Sequence, residues 1–305
     1  MTKRLLSAAG GAARACAQGC PSPACAGVDL HLHSTYSDGL FTPDELCRKA
    51  QKAGVGTLAL TDHDTAGGMA DMRAAAHAHG LALIPGVEVS TGEGGRVHVL
   101  CYGPNICSKP MTDWLCRLAQ ERRGRAAEMI RLLAKQGIDI PQQEQERLLA
   151  IPTVGRAHIS RCLVAMGVVS TAKQGFERWL AEGRPAYAPR PLLPTAEAIQ
   201  TLGGMGVITV LAHPMRMELE WTALQALVLH LYECGLRGLE AFHPSANARM
   251  ARQLDQLARQ SGLLVTGGSD YHGDPGSTLH IGRLPAGWQQ REEDLSALLG
   301  TISSL

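Results

Sequence analysis

Short apolar runs alternate with amphipathic stretches in two parts of the chain. Residues 28–33 and 81–89 have the length and β-branched content of strands. Residues 43–54 have helical spacing, with Thr42 as N-cap and Pro43 at the first helical position. Repeated strand–helix–strand spacing predicts parallel βα units. The other predicted strands are 57–61, 96–102, 206–212, 238–242 and 263–266, and the other helices between strands are 69–79, 195–203, 223–235 and 246–262.

The middle of the chain has a different pattern. Residues 112–136 carry a long amphipathic helical repeat, and further helical stretches follow to about residue 183. The Pro-rich segment 183–194 is typical of a linker, and strand–helix alternation resumes after it. We therefore predict an α/β fold in which one parallel barrel, residues 28–105 and 190–305, is interrupted by a helical insertion at 106–189. Residues 1–27 are predicted to be a disordered extension.

The overall charge excludes a protein that coats nucleic acid through a basic surface. Lys and Arg number 29 against 28 Asp and Glu, a formal net charge of +1, so any anion must be bound at a local site. No apolar run approaches the ~20 residues that span a bilayer, and no membrane contact is expected. Nine cysteines, mostly in apolar segments, favour reduced thiols and a cytoplasmic setting. The cluster Cys16, Cys20 and Cys25 either binds a metal or lies in a loose N-terminal tail with reduced thiols. The tail is favoured, because no second half of a metal site follows it.

Histidines and acidic residues recur where the predicted strands end. His31 and His33 are two residues apart, so the alternation of a strand points both to one side. The C-terminal ends of parallel barrel strands meet at one mouth, which brings such side chains together. Burying them without a counter-charge costs several kcal/mol per group, and divalent metals supply that charge. The residues are His31, His33, Asp38, Asp62, His63, Asp64, Glu88, His98, His213, His243, Asp270 and His272.

These motifs resemble those of a known family. Between Val28 and about Gly273 the chain contains, in order, HLHSTYSDG, LTDHDT, GVEVS, VHVL, LAHP and GSDYHG. They are similar to the motifs of the polymerase and histidinol phosphatase (PHP) superfamily of metal-dependent phosphoesterases, which implies a distorted (β/α)7 barrel. The amidohydrolase superfamily also opens with a His-x-His strand, but we find no counterpart of the bridging Lys that it normally carries.

The resemblance implies three metal-binding groups that share Glu88. Two or three divalent ions are expected, of Mn, Zn or Fe, and the oxygen ligand Asp38 favours harder ions such as Mn²⁺. The implied groups are His31, His33, Glu88 and Asp270; Asp38, His63 and His272; and Glu88, His98 and His213.

Two residues at the barrel mouth are candidates for a catalytic role. His243 is a candidate for contact with the substrate or leaving group, and a structural hydrogen bond is its alternative. Asp64, together with Asp62, is a candidate for orienting an imidazole, and capping of the loop is the alternative.

The helical insertion resembles one branch of the superfamily. It contains IPTVGRAHISRCLVAMGVV, followed by GRPAYAPR and PTAEAI, and is similar to the inserted subdomain of nucleoside 3′,5′-bisphosphate phosphatases and related 5′–3′ exoribonucleases. Arg156 and His158 match phosphate-binding positions of that branch, with helix capping as the alternative, and Arg216 lies near the barrel mouth. The arginine-rich stretch 121–131 is expected to be a solvated helix face, with a weak RNA track as the alternative.

The expected reaction is phosphoester hydrolysis by a hydroxide that bridges metal ions. The predicted activity is removal of the 3′-phosphate of nucleoside 3′,5′-bisphosphates. The alternatives are a 5′–3′ exoribonuclease on short RNA, another phosphomonoesterase such as a histidinol-phosphate phosphatase, and a non-catalytic metal-binding PHP module. The expected partner is a small phosphorylated substrate, and the sequence leaves the oligomeric state open.

Overall fold

The computed structural model describes residues 27–92, 97–275, 277–288 and 292–304. The predicted N-terminal extension, with Cys16, Cys20 and Cys25, lies outside the described residues except for Gly27. Among the residues that the structure describes, none of the helices combines the length and apolar character needed to cross a membrane.

Each predicted strand and helix of the barrel is found, with ends shifted by a few residues. The strands are β1 (Gly27–Leu32), β2 (Val55–Leu60), β3 (Ala82–Thr91), β4 (Val97–Tyr102), β5 (Ile208–Leu211), β6 (Gly238–Phe242) and β7 (Leu264–Gly267). The helices are α1 (Pro43–Lys52), α2 (Met69–Ala78), α3 (Lys109–Lys135), α4 (Gln142–Ala150), α5 (Arg156–Ala165), α6 (Ala172–Gly175), α7 (Thr195–Gly204), α8 (Trp221–Glu233), α9 (Ala248–Gln260) and α10 (Glu292–Ser303).

Local sequence signals explain where α1 begins. The Thr42 hydroxyl accepts a hydrogen bond from the Glu45 backbone N–H, and the Glu45 carboxylate accepts one from the Thr42 N–H. This capping box satisfies backbone donors that would otherwise lack partners, and Pro43 supplies a backbone angle suited to the first turn. The predicted N-cap is therefore confirmed.

The seven strands form one sheet in the order β1-β2-β3-β4-β5-β6-β7. Most neighbours are parallel, as predicted, but β4 runs antiparallel to both β3 and β5. The reason is the short connection 92–96, because a parallel crossover needs about a dozen residues or more. Treating every strand as a parallel βα unit was therefore wrong for β4.

Hydrogen bonds join β1 to the segment that follows β7. The His33 backbone N–H donates to the Tyr271 carbonyl at 3.1 Å, and the Asp270 N–H donates to the His31 carbonyl at 2.9 Å. The two ends of the sheet are thus linked. The linkage brings the motif HLH into contact with the motif GSDYHG.

The described residues form two separate apolar cores. One lies within and around the sheet and includes Leu58, Val87 and Phe242. The other lies among the helices between β4 and β5 and includes Ile130 and Leu163. Helix α3 contributes its first half to the first core and its second half to the other. The domain boundaries at 106 and 189 stay a prediction, which these two cores support.

Candidate metal centre and adjoining cavity

Three overlapping groups of His, Asp and Glu side chains lie together, within strands or in the segments that follow them. In each group, one potential ligand atom per residue lies within 4.8 Å of the others. His213 joins them, because its Nε2 lies 2.8 Å from Glu88 Oε1. The structure therefore brings all nine predicted ligands together. The groups are His31, His33, Glu88 and Asp270; His33, Asp38, His63 and His272; and His63, Glu88 and His98.

Glu88 lies at the centre of this metal-site cluster and is fully buried. Its Oε2 lies 3.1 Å from His31 Nε2 and 3.2 Å from His33 Nε2. Its other oxygen, Oε1, lies 2.7 Å from His98 Nδ1. One carboxylate oxygen thus faces each side of the cluster, which is the arrangement that a bridging ligand requires.

The donor atoms fit a cation better than they fit one another. His31 Nε2, both ring nitrogens of His33, and Glu88 Oε2 are buried without a hydrogen-bond partner among the described residues. Each unsatisfied buried polar group costs about 1–3 kcal/mol. Imidazole nitrogens and carboxylate oxygens facing a common point would be satisfied together by divalent ions, for which this donor set is suited.

The charges of the cluster are strongly coupled. Burial lowers the pKa of His63 to about 3 and that of His213 to about 4. Burial also opposes the charged form of His33, but the carboxylates of Asp270 and Glu88 raise its pKa to about 10. The site therefore holds enough negative charge to stabilise cations, and it keeps some imidazoles neutral, which is the state that binds metals.

The backbone is held in uncommon conformations at three positions around the cluster. Asp64, His213 and Asp270 have φ angles of 51°, 27° and 53°, in the left-handed region. Such conformations cost about 1–3 kcal/mol each and persist where the surrounding structure enforces them. All three lie where a strand ends, so the turn redirects the chain at the barrel mouth.

A close approach of two strand ends accounts for Gly268. A Cβ atom at this position would collide with the Cβ and backbone of His31. Only glycine lets the segment that carries Asp270 lie against the strand that carries His31.

Glu240 is a functional candidate that the sequence analysis missed. It is fully buried on β6, where its Oε1 lies 2.9 Å from His31 Nδ1 and its Oε2 accepts the His213 backbone N–H at 2.7 Å. A carboxylate on Nδ1 directs Nε2 of the same ring toward the metal-site cluster. The signal was a single Glu in the apolar strand GLEAF, but nothing local showed which ring it would meet.

Asp62 and Asp64 bind other partners than the predicted imidazoles. Asp62 accepts hydrogen bonds from the Ser34 backbone N–H and hydroxyl at 2.7 and 2.6 Å and from the Ser37 hydroxyl at 2.6 Å. Asp62 therefore caps the loop that carries Asp38, which is the structural alternative to orienting an imidazole.

Asp64 pairs with two arginines from distant parts of the chain. Its Oδ2 lies 2.6 Å from Arg122 Nε and 3.0 Å from Arg190 Nη1, and its Oδ1 accepts the Ser90 N–H at 2.8 Å. Burial alone would raise the pKa of Asp64, but the two guanidinium groups hold it below its ordinary value. The carboxylate is therefore charged and fixes both arginines beside the metal-site cluster.

A cavity of about 720 Å³ adjoins the cluster. One part of its wall comes from the barrel mouth, including Asp38, His63 and His98. Another part comes from the insertion and the linker, and carries the four arginines that we call the arginine wall. The arginine wall comprises Arg122, Arg125, Arg156 and Arg190.

The expectation that residues 121–131 form only a solvated face was wrong for two of them. Arg123 and Arg131 are exposed, whereas Arg122 and Arg125 line the cavity. Arg125 Nε donates to the Ala188 carbonyl at 2.7 Å, and the guanidinium carbon lies 5.4 Å from the centroid of the Tyr187 ring, but the buried Nη2 has no hydrogen-bond partner among the described residues. Burial and the neighbouring arginines lower the pKa of Arg125 to about 10. This concentration of positive charge favours an anion in the cavity.

The predicted substrate residues occupy different places. Arg156 lines the cavity, as does Arg216, whose Nη1 lies 2.7 Å from Asp270 Oδ2. His158 is instead engaged at both ring nitrogens: Nδ1 accepts the Gly155 N–H at 3.1 Å, and Nε2 donates to the Ser37 carbonyl at 2.9 Å. His158 thus caps its helix and joins the insertion to the loop that carries Asp38.

His243 lies buried beside the cluster. Its Nδ1 accepts the Ser245 backbone N–H at 3.0 Å, so in the neutral ring the proton is on Nε2. Nε2 lies 3.5 Å from Asp270 Oδ2 and has no hydrogen-bond partner among the described residues. A buried donor therefore faces the site.

Comparisons with known proteins agree with this geometry. The family model described as PHP domain matches residues 29–180. The 5′-3′ exoribonuclease Rnm of Escherichia coli is 36% identical over 275 residues, which are 87% of this chain and 94% of that protein. The 3′,5′-nucleoside bisphosphate phosphatase of Chromobacterium violaceum is 32% identical over 249 residues, 81% of this chain and 87% of that protein.

A solved structure has the same fold over nearly the whole chain. It is a protein of Bifidobacterium adolescentis proposed to be a metal-dependent phosphoesterase, with 29% identity and a TM-score of 0.78, and the match covers 90% of this chain and 96% of that one. The sequence motifs, the metal-site cluster and the full-length relatives lead to one conclusion. The chain belongs to the PHP family and is a metal-dependent phosphoester hydrolase.

Proposed function

We propose that the protein hydrolyses the phosphoester on the 3′ oxygen of a nucleotide that also carries a 5′-phosphate, with nucleoside 3′,5′-bisphosphates as the smallest substrates. The carrying observation is the arginine wall in the same cavity as the metal-site cluster. In that wall, Arg125 Nη2 is buried without a hydrogen-bond partner among the described residues, and an anion in the cavity would accept its hydrogen bond. A substrate with two separated phosphates matches a cavity with two separated places for them.

We propose that the nine clustered residues are the metal ligands, with Glu88 shared between ions. Bound divalent ions would lower the pKa of water and neutralise charge on the phosphate that reacts. The chain's own groups then orient that phosphate. Arg216, near Asp270, offers a guanidinium to its oxygens, and His243 offers the Nε2 proton to the substrate or leaving group.

A second candidate is a 5′–3′ exoribonuclease acting on short RNA. The observation that favours it is the 36% identity to the Escherichia coli exoribonuclease. The bond that breaks is the same in both cases, since a chain with a 5′-phosphate has the next nucleotide on its 3′ oxygen. The two functions differ in whether the cavity admits that next nucleotide. A cytoplasmic setting remains part of the proposal.

One assay separates these functions. Mn²⁺-loaded protein is given adenosine 3′,5′-bisphosphate, AMP, histidinol phosphate and a short 5′-phosphorylated RNA in parallel, and phosphate and nucleotide release are measured. Phosphate and AMP from the bisphosphate support the proposal, and mononucleotides from the RNA add the exoribonuclease activity. Hydrolysis of histidinol phosphate alone would overturn the proposal, and no turnover of any substrate by metal-loaded protein would favour a non-catalytic module.

A further inference from the structure

An exposed aromatic ring lies in the part of the cavity wall that the insertion provides. The side chain of Phe176 is 37% exposed and lines the cavity. It starts the π-helical turn Phe176–Leu180, which follows α6 directly. Within the same turn, Leu180 is fully buried in the insertion core. The turn therefore keeps one large apolar side chain in the cavity while another packs inside, and such π-turns are frequent at functional sites.

Arg156 lies against this ring. Its guanidinium carbon is 4.8 Å from the ring centroid, and both residues line the cavity. Arg156 is the first residue of α5, while Phe176 follows α6, so two helices bring the pair together. A planar guanidinium beside an aromatic ring is a surface on which a flat, polarisable group can stack.

The described lining of the cavity contains no Asn or Gln, and its Lys173 and Glu177 pair with each other, Nζ to Oε1, at 3.7 Å. The cavity is also lined by the Ser160 hydroxyl and by the apolar side chains of Ala126, Met129 and Val154. Its volume of about 720 Å³ lies within the range of roughly 300–1,000 Å³ typical of small-molecule sites. A nucleotide would place its phosphates at the metal-site cluster and at three members of the arginine wall, Arg122, Arg125 and Arg190, which leaves the base for the surface formed by Arg156 and Phe176.

We infer that Arg156 and Phe176 form a platform on which the nucleobase of the substrate stacks, and that the platform accepts all four common bases. This inference rests on the proposed function and specifies which part of the nucleotide the insertion contacts. Stacking tolerates any base because each has a π-face, whereas discrimination needs hydrogen bonds to base edges. The platform would therefore contribute affinity for nucleotides over other phosphate esters.

The test compares one substrate with and without its base. Phe176→Leu keeps an apolar side chain but removes the ring, and Phe176→Tyr keeps the ring. With Mn²⁺-loaded protein, Phe176→Leu should lower kcat/KM for adenosine 3′,5′-bisphosphate about tenfold more than for the base-free 1-deoxyribose 3,5-bisphosphate. Phe176→Tyr should retain most of the kcat/KM that Phe176→Leu loses with the base-containing substrate. Tyr232→Leu is the control, because it removes an aromatic side chain that is 44% exposed on α8 and does not line this cavity. It should leave kcat/KM unchanged for both substrates.

An equilibrium measurement supplies a second readout. Calorimetric titration with AMP and with ribose 5-phosphate should show that Phe176→Leu weakens the binding of AMP alone. Equal losses for the base-containing and base-free compounds would overturn the platform while leaving the proposed function intact. A preference of more than tenfold for one base among the four bisphosphates would overturn base tolerance. No turnover of any nucleotide by the unchanged protein would instead remove the proposed function.

Discussion

The metal-site cluster and the arginine wall border the same cavity, yet they are built in different ways. The cluster consists mainly of buried side chains at strand ends, such as His31 and Glu88. The wall consists of side chains from α3, α5 and the linker, such as Arg125 and Arg190. A hydrogen-bonded sheet thus carries most of the cluster, while helices with an apolar core of their own and the linker carry the arginine wall.

The two regions are joined by a small number of polar contacts. Asp64 follows a cluster residue in the chain and binds two arginines of the wall. His158 donates to the carbonyl of Ser37, and Arg161 pairs with Asp274 at 2.7 Å. The contrast is that the metal-site cluster lies on the sheet of one apolar core, whereas the arginine wall lies mainly on helices of the other; these polar contacts and helix α3, which packs in both cores, connect the two.

The largest expected effect comes from breaking the cluster. His33→Ala or Asp270→Ala removes a proposed ligand, and turnover should fall by more than about a hundredfold, beyond the usual cost of losing an outer partner of a ligand. Phosphate release and bound metal, measured by mass spectrometry, should fall together while circular dichroism stays unchanged. His230→Ala, at an exposed position on α8, is the control. Full activity in both cluster variants would refute the metal assignment.

Breaking the link between the regions should mainly affect stability. Asp64→Asn removes the charge that Arg122 and Arg190 face, and losing one member of a buried ion pair costs about 3–5 kcal/mol. Urea unfolding measures the loss. Asp113→Asn breaks an exposed pair with Lys109 and should leave the unfolding midpoint unchanged. Equal midpoints for Asp64→Asn and the unchanged protein would mean that Asp64 does not hold the wall in place.

A milder change within the cluster tests the role of Glu240. Glu240→Gln keeps the size of the side chain but weakens the contact that orients His31, so metal affinity should fall by about 10–100-fold. Metal titration followed by calorimetry measures this, and excess metal should restore most of the turnover. Glu233→Gln, at an exposed position, should have no effect. An unchanged metal affinity would reduce Glu240 to a packing role.

The smallest expected effect comes from the wall. Arg125→Gln removes the guanidinium whose Nη2 has no hydrogen-bond partner among the described residues, and KM for the bisphosphate should rise about tenfold because a charge-assisted hydrogen bond is lost. The value of kcat should change little, since the metal-site cluster is untouched. Arg123→Gln, exposed on the same helix, is the matched control. If both variants raise KM equally, the effect is one of overall charge, and Arg125 has no specific site.

The sequence by itself determined most of the cluster and of the barrel. Strand alternation put His31 and His33 on one side, and the other strands and the turns after them supplied the remaining candidates, while the selection of nine of these as ligands came from the resemblance to the PHP superfamily. These inferences succeed because hydrophobic periodicity and capping are local properties of the chain, and Thr42 with Glu45 shows that such signals are obeyed.

Only the tertiary structure decided which polar residues meet across the chain. Three features depend on the packing of distant segments. They are the direction of β4, the contact of Glu240 with His31, and the position of Arg122 and Arg125 in the cavity wall. An amphipathic pattern separates apolar from polar positions, but it cannot tell a polar side chain in water from one that faces another domain. Asp64 illustrates the limit, because its two arginine partners lie 58 and 126 residues further along the chain.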